Sequence, residues 1–216
     1  MIDEGSMQDF AVARRAMIDS QLRPQGVTDR GVLAAMASVE RERFVPAGSR
    51  DFAYFDRPLK IGADRSMMPP AALGRLLSEA APVAGEKALV VGAGTGYSAA
   101  LLSAIGLNVV AIETDESLVG VAKDAGIEVA KGDLAKGHAK AAPYDFILLD
   151  GAVEQLPDTL LEQLVEGGRV AAALVDRGVS RLVVGRKVHG SVGLATIVDA
   201  DVGRLPGFER PKAFTF

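Results

Sequence analysis

The stretch VVGAGTGYSAALL, Val90–Leu102, decides how the chain is read. It joins an apolar run, KALVVG, to a segment of helical spacing, YSAALLSAIG, which Gly106 closes. Gly92, Gly94 and Gly96 occupy the junction. Glycines at a strand-to-helix turn let the backbone bend tightly and approach a ligand, while the helix N-terminus offers free amides. The spacing is G-x-G-x-G, whereas a dinucleotide pyrophosphate is usually cradled by G-x-G-x-x-G. NAD is therefore not expected to bind comparably, and the His or Tyr constellation of a dehydrogenase is missing.

Downstream, short apolar runs alternate with helical stretches. NVVAIE reads as a strand, ESLVGVAKDAG as a helix ended by Gly126, and EVAKGD and YDFILLDG as further strands. LPDTLLEQLVEGG reads as a helix closed by two glycines, followed by the strand RVAAALV. Alternating units of this kind imply an α/β fold: a doubly wound, mostly parallel, Rossmann-like sheet. SRLVVGRKV and GLATIVDADV flank the turn-like HGSVG and read as a C-terminal antiparallel hairpin at the sheet edge.

Upstream, apolar residues recur at helical spacing from Asp9 to Leu22, until Pro24 and Gly26 stop the helix. Thr28 or Asp29 can cap a second helix through Val39. RERFVP and DFAYFDRPLKIG are irregular and aromatic and read as loop. PPAALGRLLSEAA reads as a helix with proline in its first turn. The expected organisation is an N-terminal helical and loop cap over 1–80 and a cofactor-binding core over 81–216, together one compact unit.

Three acidic residues are expected at successive strand ends beside the glycine turn. Glu113 ends the second strand about 20 residues after the first glycine, where a carboxylate can accept from ribose hydroxyls. Asp133 ends the third. Asp150 ends the fourth, in the crevice where open parallel sheets bind ligands.

Composition narrows the function classes. The 216 residues are 49% hydrophobic and 24% charged with a net charge of −4, which fits a folded domain and gives no basic surplus for nucleic acid. With no cysteine, thiol chemistry and cysteine-ligated metals are excluded. The two histidines, His138 and His189, lack metal-ligand spacing and read as surface residues, so no metal is expected. No apolar run reaches the roughly 18 residues of a membrane span. MIDEGSMQDF is acidic and unlike a signal peptide, GSM has the look of a cloning scar with Met7 as native start, and the expected compartment is the cytoplasm.

The glycine turn resembles motif I of class I S-adenosylmethionine-dependent methyltransferases. That resemblance implies S-adenosyl-L-methionine as cofactor across Gly92, Gly94, Gly96, Glu113 and Asp150. Asp133 would take the adenine amino group, with the Leu134 amide at a ring nitrogen. The flanks add a closer likeness. MIDSQL, VLAAMASVERERFVP, AYFDRPLKIG and PYDFILLDGAVEQLPDTLLEQLVEGGRV together resemble the protein-L-isoaspartate O-methyltransferase family, in order from about Phe10 to Val175. The resemblance implies methylation of isoaspartyl carboxylates in damaged proteins or peptides.

Three departures accompany it. The family loop reads roughly G-Q-T-I-S-x-P, and its serine is the residue usually held essential. With Pro70 on the family proline, that serine falls at Met68, the threonine at Ser66 and the glutamine at Arg65. Val90 stands where motif I usually carries an acid, and Asp150 where a small or neutral residue is usual. A carboxylate nucleophile is already ionised at neutral pH, so no general base is needed. A lost positioning hydrogen bond to a charged group is worth about 1.5–3 kcal/mol, roughly ten- to a hundred-fold in rate. Ser66 and Arg65 are the candidate catalytic residues, Arg65 as a bidentate carboxylate grip. Two alternatives stay open: a methyltransferase with a different acceptor, and a non-catalytic S-adenosylmethionine-binding protein.

Overall fold

The computed structural model describes residues 9–210; the candidate scar lies outside them. Helix α1 (Phe10–Met17) is capped by Asp9, whose carboxylate accepts from the amides of Ala11 and Val12, and runs on as a π-helical turn over Ile18–Leu22. Asp29, of the two expected candidates, caps α2 (Arg30–Ser38) through the Val32 amide. The segment expected to be loop winds instead into 3-10 turns at Arg41–Phe44 and Ala47–Phe52. They are held by buried side chains: the Tyr54 hydroxyl donates to Glu42 and accepts from Arg14 Nε at 2.7 Å.

Two short antiparallel strands, β1 (Leu59–Lys60) and β2 (Ser66–Met67), pair across a tight loop. Helix α3 (Pro70–Ala80) follows with proline at its first position, where a missing amide hydrogen costs nothing.

The core alternates as expected through β3 (Lys87–Val91), α4 (Tyr97–Ile105), β4 (Asn108–Glu113), α5 (Glu116–Asp124), β5 (Ala130–Lys131), β6 (Tyr144–Val153), α6 (Asp158–Leu161) and β7 (Leu164–Asp176). The antiparallel β8 (Val179–Val188) and β9 (Ser191–Asp199) complete a seven-stranded sheet of order β5-β4-β3-β6-β7-β8-β9. The edge hairpin is where the sequence placed it.

Two elements are shorter than expected. EVAKGD contributes a two-residue strand, and the helix read over LPDTLLEQLVEGG is a single turn. Gln163 explains the second. Its buried amide donates to the carbonyls of Lys136 and Thr159 and accepts from the His138 amide, turning the chain directly into β7.

Strand residues alternate between two apolar layers. Ala88, Val90, Phe146 and Leu148 pack with residues of α1 to α5. Leu89, Val91, Ile147 and Leu149 face the other way, under Leu160 of α6 and under Leu205 and Phe208. Helical cover is therefore uneven, and an extended C-terminal segment completes the thinner layer. No helix of the described residues is long and apolar enough to cross a membrane.

Candidate functional site

The turn Gly92–Gly96 follows β3 and opens α4, and all three of its glycines take positive φ. At Gly92 and Gly94, with φ of +73° and +56°, a side chain would be both strained and obstructed. A Cβ on Gly92 would stand 2.5 Å from Leu205 Cδ2, and one on Gly94 would stand 2.7 Å from Ile61 Cδ1. The face of the turn is thus packed by two apolar side chains from distant segments.

Glu113 ends β4 beside this turn and is fully buried. Its Oε1 accepts from the amides of Thr114 (2.8 Å) and Asp115 (3.2 Å). Its Oε2 accepts from the Gly94 amide (2.8 Å) and from Arg65 Nη2 (2.9 Å). The same Arg65 nitrogen donates to the Gly92 carbonyl at 2.7 Å. Arg65 is therefore buried on the glycine turn and ion-paired to Glu113.

Asp150, expected to end its strand, lies within β6, which continues to Val153, and has 7% of its surface exposed. Its Oδ2 accepts from the Ser98 hydroxyl, while Oδ1 has no hydrogen-bond partner among the described residues. Burial pushes its carboxyl up to about 6, against the opposing pull of the Ser98 hydrogen bond and of the Arg65 and Arg41 charges. Arg41 is fully buried. It donates to the carbonyls of Ala53 (2.7 Å) and Met68 (2.6 Å) and stacks on the Tyr97 ring at 4.7 Å.

The remaining sequence candidates scatter. Asp133 does not end β5 as expected: it lies two residues beyond it, exposed, where it caps the Ala135 amide and pairs with Lys136 at 3.3 Å; Leu134 beside it is buried. Ser66 is half-buried in β2, and a Cβ on Gly203 would meet its Cβ at 2.9 Å. Met68 is fully buried in the apolar layer. His138 follows a 3-10 turn and His189 sits in the β8–β9 turn. Among the described residues no cluster suited to a metal ion occurs.

Arg41, Ser98 and Leu205 are not among the sequence candidates. Ser98 carried a signal, a hydroxyl in the first turn of a largely apolar helix. Arg41 and Leu205 carried none, because only tertiary folding brings their segments here.

Comparison with known proteins settles the family. The profile of the protein-L-isoaspartate(D-aspartate) O-methyltransferase family matches residues 13–198. The chain belongs to that family. A Koribacter versatilis protein-L-isoaspartate O-methyltransferase is 40% identical over 188 residues, covering 84% of this chain and 85% of the relative. A Methanospirillum hungatei enzyme of the same description is 37% identical over 183 residues, covering 82% and 85%. Among solved structures, a protein-L-isoaspartate O-methyltransferase superposes with a TM-score of 0.79 at 23% identity, covering 90% of this family member and 66% of that chain. A Plasmodium falciparum structure in complex with S-adenosyl-L-homocysteine superposes at 0.77 with 17% identity, covering 91% and 97%. At such identities these two likenesses establish the fold.

Proposed function

We propose that the chain is an S-adenosylmethionine-dependent O-methyltransferase whose acceptor is the isoaspartyl carboxylate of damaged proteins or peptides. The observation that carries this reading is Glu113, buried at the end of β4 with one oxygen on the Gly94 amide. A carboxylate fixed on a glycine turn is the arrangement that holds a ribose diol in open α/β sheets. Family membership supports the rest.

The residues fit the cofactor in type: a positive-φ glycine turn with a buried carboxylate on one of its amides. Gly92, Gly94 and Gly96 would pass beneath it, Glu113 would hold its ribose, and Asp133 and Leu134 would meet its adenine. When bound, the cofactor supplies a methyl group on a sulfonium. The chain's own task is orientation and exclusion of water, since the acceptor arrives ionised. Met68 is drawn into the apolar layer and Arg65 is engaged with Glu113, so Ser66 is the candidate of the acceptor loop left to position an acceptor.

The test is incubation with methyl-labelled S-adenosylmethionine and matched isoaspartyl and aspartyl peptides. Base-labile label is expected on the isoaspartyl peptide alone, with turnover about ten- to a hundred-fold below that of a family member bearing the loop serine. Cofactor binding without label on either peptide would replace this acceptor with another.

A further inference from the structure

The position a ribose diol would take on Glu113 is held by the chain itself. Arg65 Nη2 fills the second acceptor direction of Glu113 Oε2 and closes onto the Gly92 carbonyl. Leu205 covers Gly92 and Ile61 covers Gly94. The cover is anchored from two directions. The amides of Ile61 and Gly62 both donate to the Arg65 carbonyl, at 3.0 and 3.2 Å, so the loop closes on itself around that side chain. Leu205 is set by backbone bonds to Ala152, from the Leu205 amide and through the Gly203 carbonyl, each 2.8 Å.

This closure is imperfect in a telling way. It saturates Glu113 yet leaves Arg65 Nε, Arg65 Nη1 and Asp150 Oδ1 buried without hydrogen-bond partners among the described residues. Buried polar groups are rarely left so, and each such group weakens the state that contains it. The arrangement thus covers the turn while leaving buried polar atoms of Arg65 and Asp150 unpartnered.

We propose that Arg65 is a self-ligand of the cofactor site, competing with the cofactor ribose for Glu113, so that cofactor entry requires withdrawal of Arg65 and its loop. The proposal rests on the cofactor reading above and adds to it. The residue at the family's loop glutamine sets how often the site is open. Because Arg65 lies between Ile61 and Ser66, the same withdrawal frees the acceptor loop, coupling cofactor binding to formation of the acceptor site.

The test is calorimetric titration of S-adenosyl-L-homocysteine into the wild-type chain, Arg65→Gln and Leu205→Ala. Glutamine can keep a donor for the Gly92 carbonyl but cannot ion-pair with Glu113. A site closed most of the time binds more weakly by the fraction of time it is open. Arg65→Gln is expected to bind about tenfold or more tightly than wild type, and Leu205→Ala to tighten binding by a smaller factor. The wild type gives an independent reading through tyrosine fluorescence, since the chain has three tyrosines and no tryptophan. Its observed binding rate should level off at high ligand, limited by opening. Tight wild-type binding with a linear rate, and no gain in Arg65→Gln, would overturn the self-ligand while leaving the cofactor reading intact. Failure of all three folded proteins to bind would overturn both.

Discussion

At the scale of single residues the site is governed by carboxylates in different surroundings. Glu113 is buried and ringed by three amides and a guanidinium, so its charge is compensated where it stands. Asp150 is buried with one hydroxyl donor, and its carboxyl is raised to about 6. A raised carboxyl pKa means the folded chain holds the proton more firmly than the unfolded chain. That contribution is fully present below the ordinary value of 3.8 and is lost as pH rises through about 6. Asp150→Asn should therefore match wild type in stability near pH 4 and exceed it above pH 7, by on the order of 3 kcal/mol. Urea unfolding at stepped pH measures this, and a constant difference across the range would show that Asp150 is not the titrating group.

At the scale of elements, Arg41 joins three pieces that have no local reason to meet. It satisfies the carbonyl of Ala53 after the 3-10 turns and that of Met68 after β2, and its guanidinium lies over Tyr97 at the start of α4. The acceptor loop is thereby tied to the helix that follows the glycine turn. Arg41→Ala would strand two carbonyls, each at a cost of about 1–3 kcal/mol. The expected signature is local: faster amide hydrogen exchange through Ala53–Met68, with β6 and β7 still protected. Equal loss of protection in β6 and β7 would make Arg41 a determinant of the whole fold instead. The elements also show where local reading stops. Asp29 and the glycine ending α4 were legible because caps act within a few residues. The 3-10 turns at Arg41–Phe52 were not, because Tyr54, Glu42 and Arg14 stabilise them across up to 40 positions.

At the scale of the whole molecule, the two apolar layers are closed by different means. One carries residues of five helices; the other depends on a single helical turn and on Leu205 and Phe208 from the C-terminal segment. Phe208 is 1% exposed and packs in that thinner layer. Phe208→Ala should cost about 3–5 kcal/mol, the usual range for a fully buried phenylalanine, read as a lower urea midpoint with unchanged slope. A change below about 1 kcal/mol would mean that the segment is docked rather than part of the core.

The alternation of strands and helices, the parallel sheet with its antiparallel edge, the glycine turn and the acidic end of β4 are all legible along the chain. Each follows from periodicity, turn chemistry or spacing within some 20 residues, forces that act along the chain. What faces the turn is set by contacts between distant segments. Arg65, read from sequence as a grip for an acceptor, is packed against Glu113, 48 residues away, and Leu205 lies on Gly92. Met68, at the position of the family serine, is buried in the apolar layer. A buried guanidinium must find an anion, and an apolar side chain must find cover. Which anion and which cover depend on the segments that folding brings together, and spacing along the chain does not encode that choice.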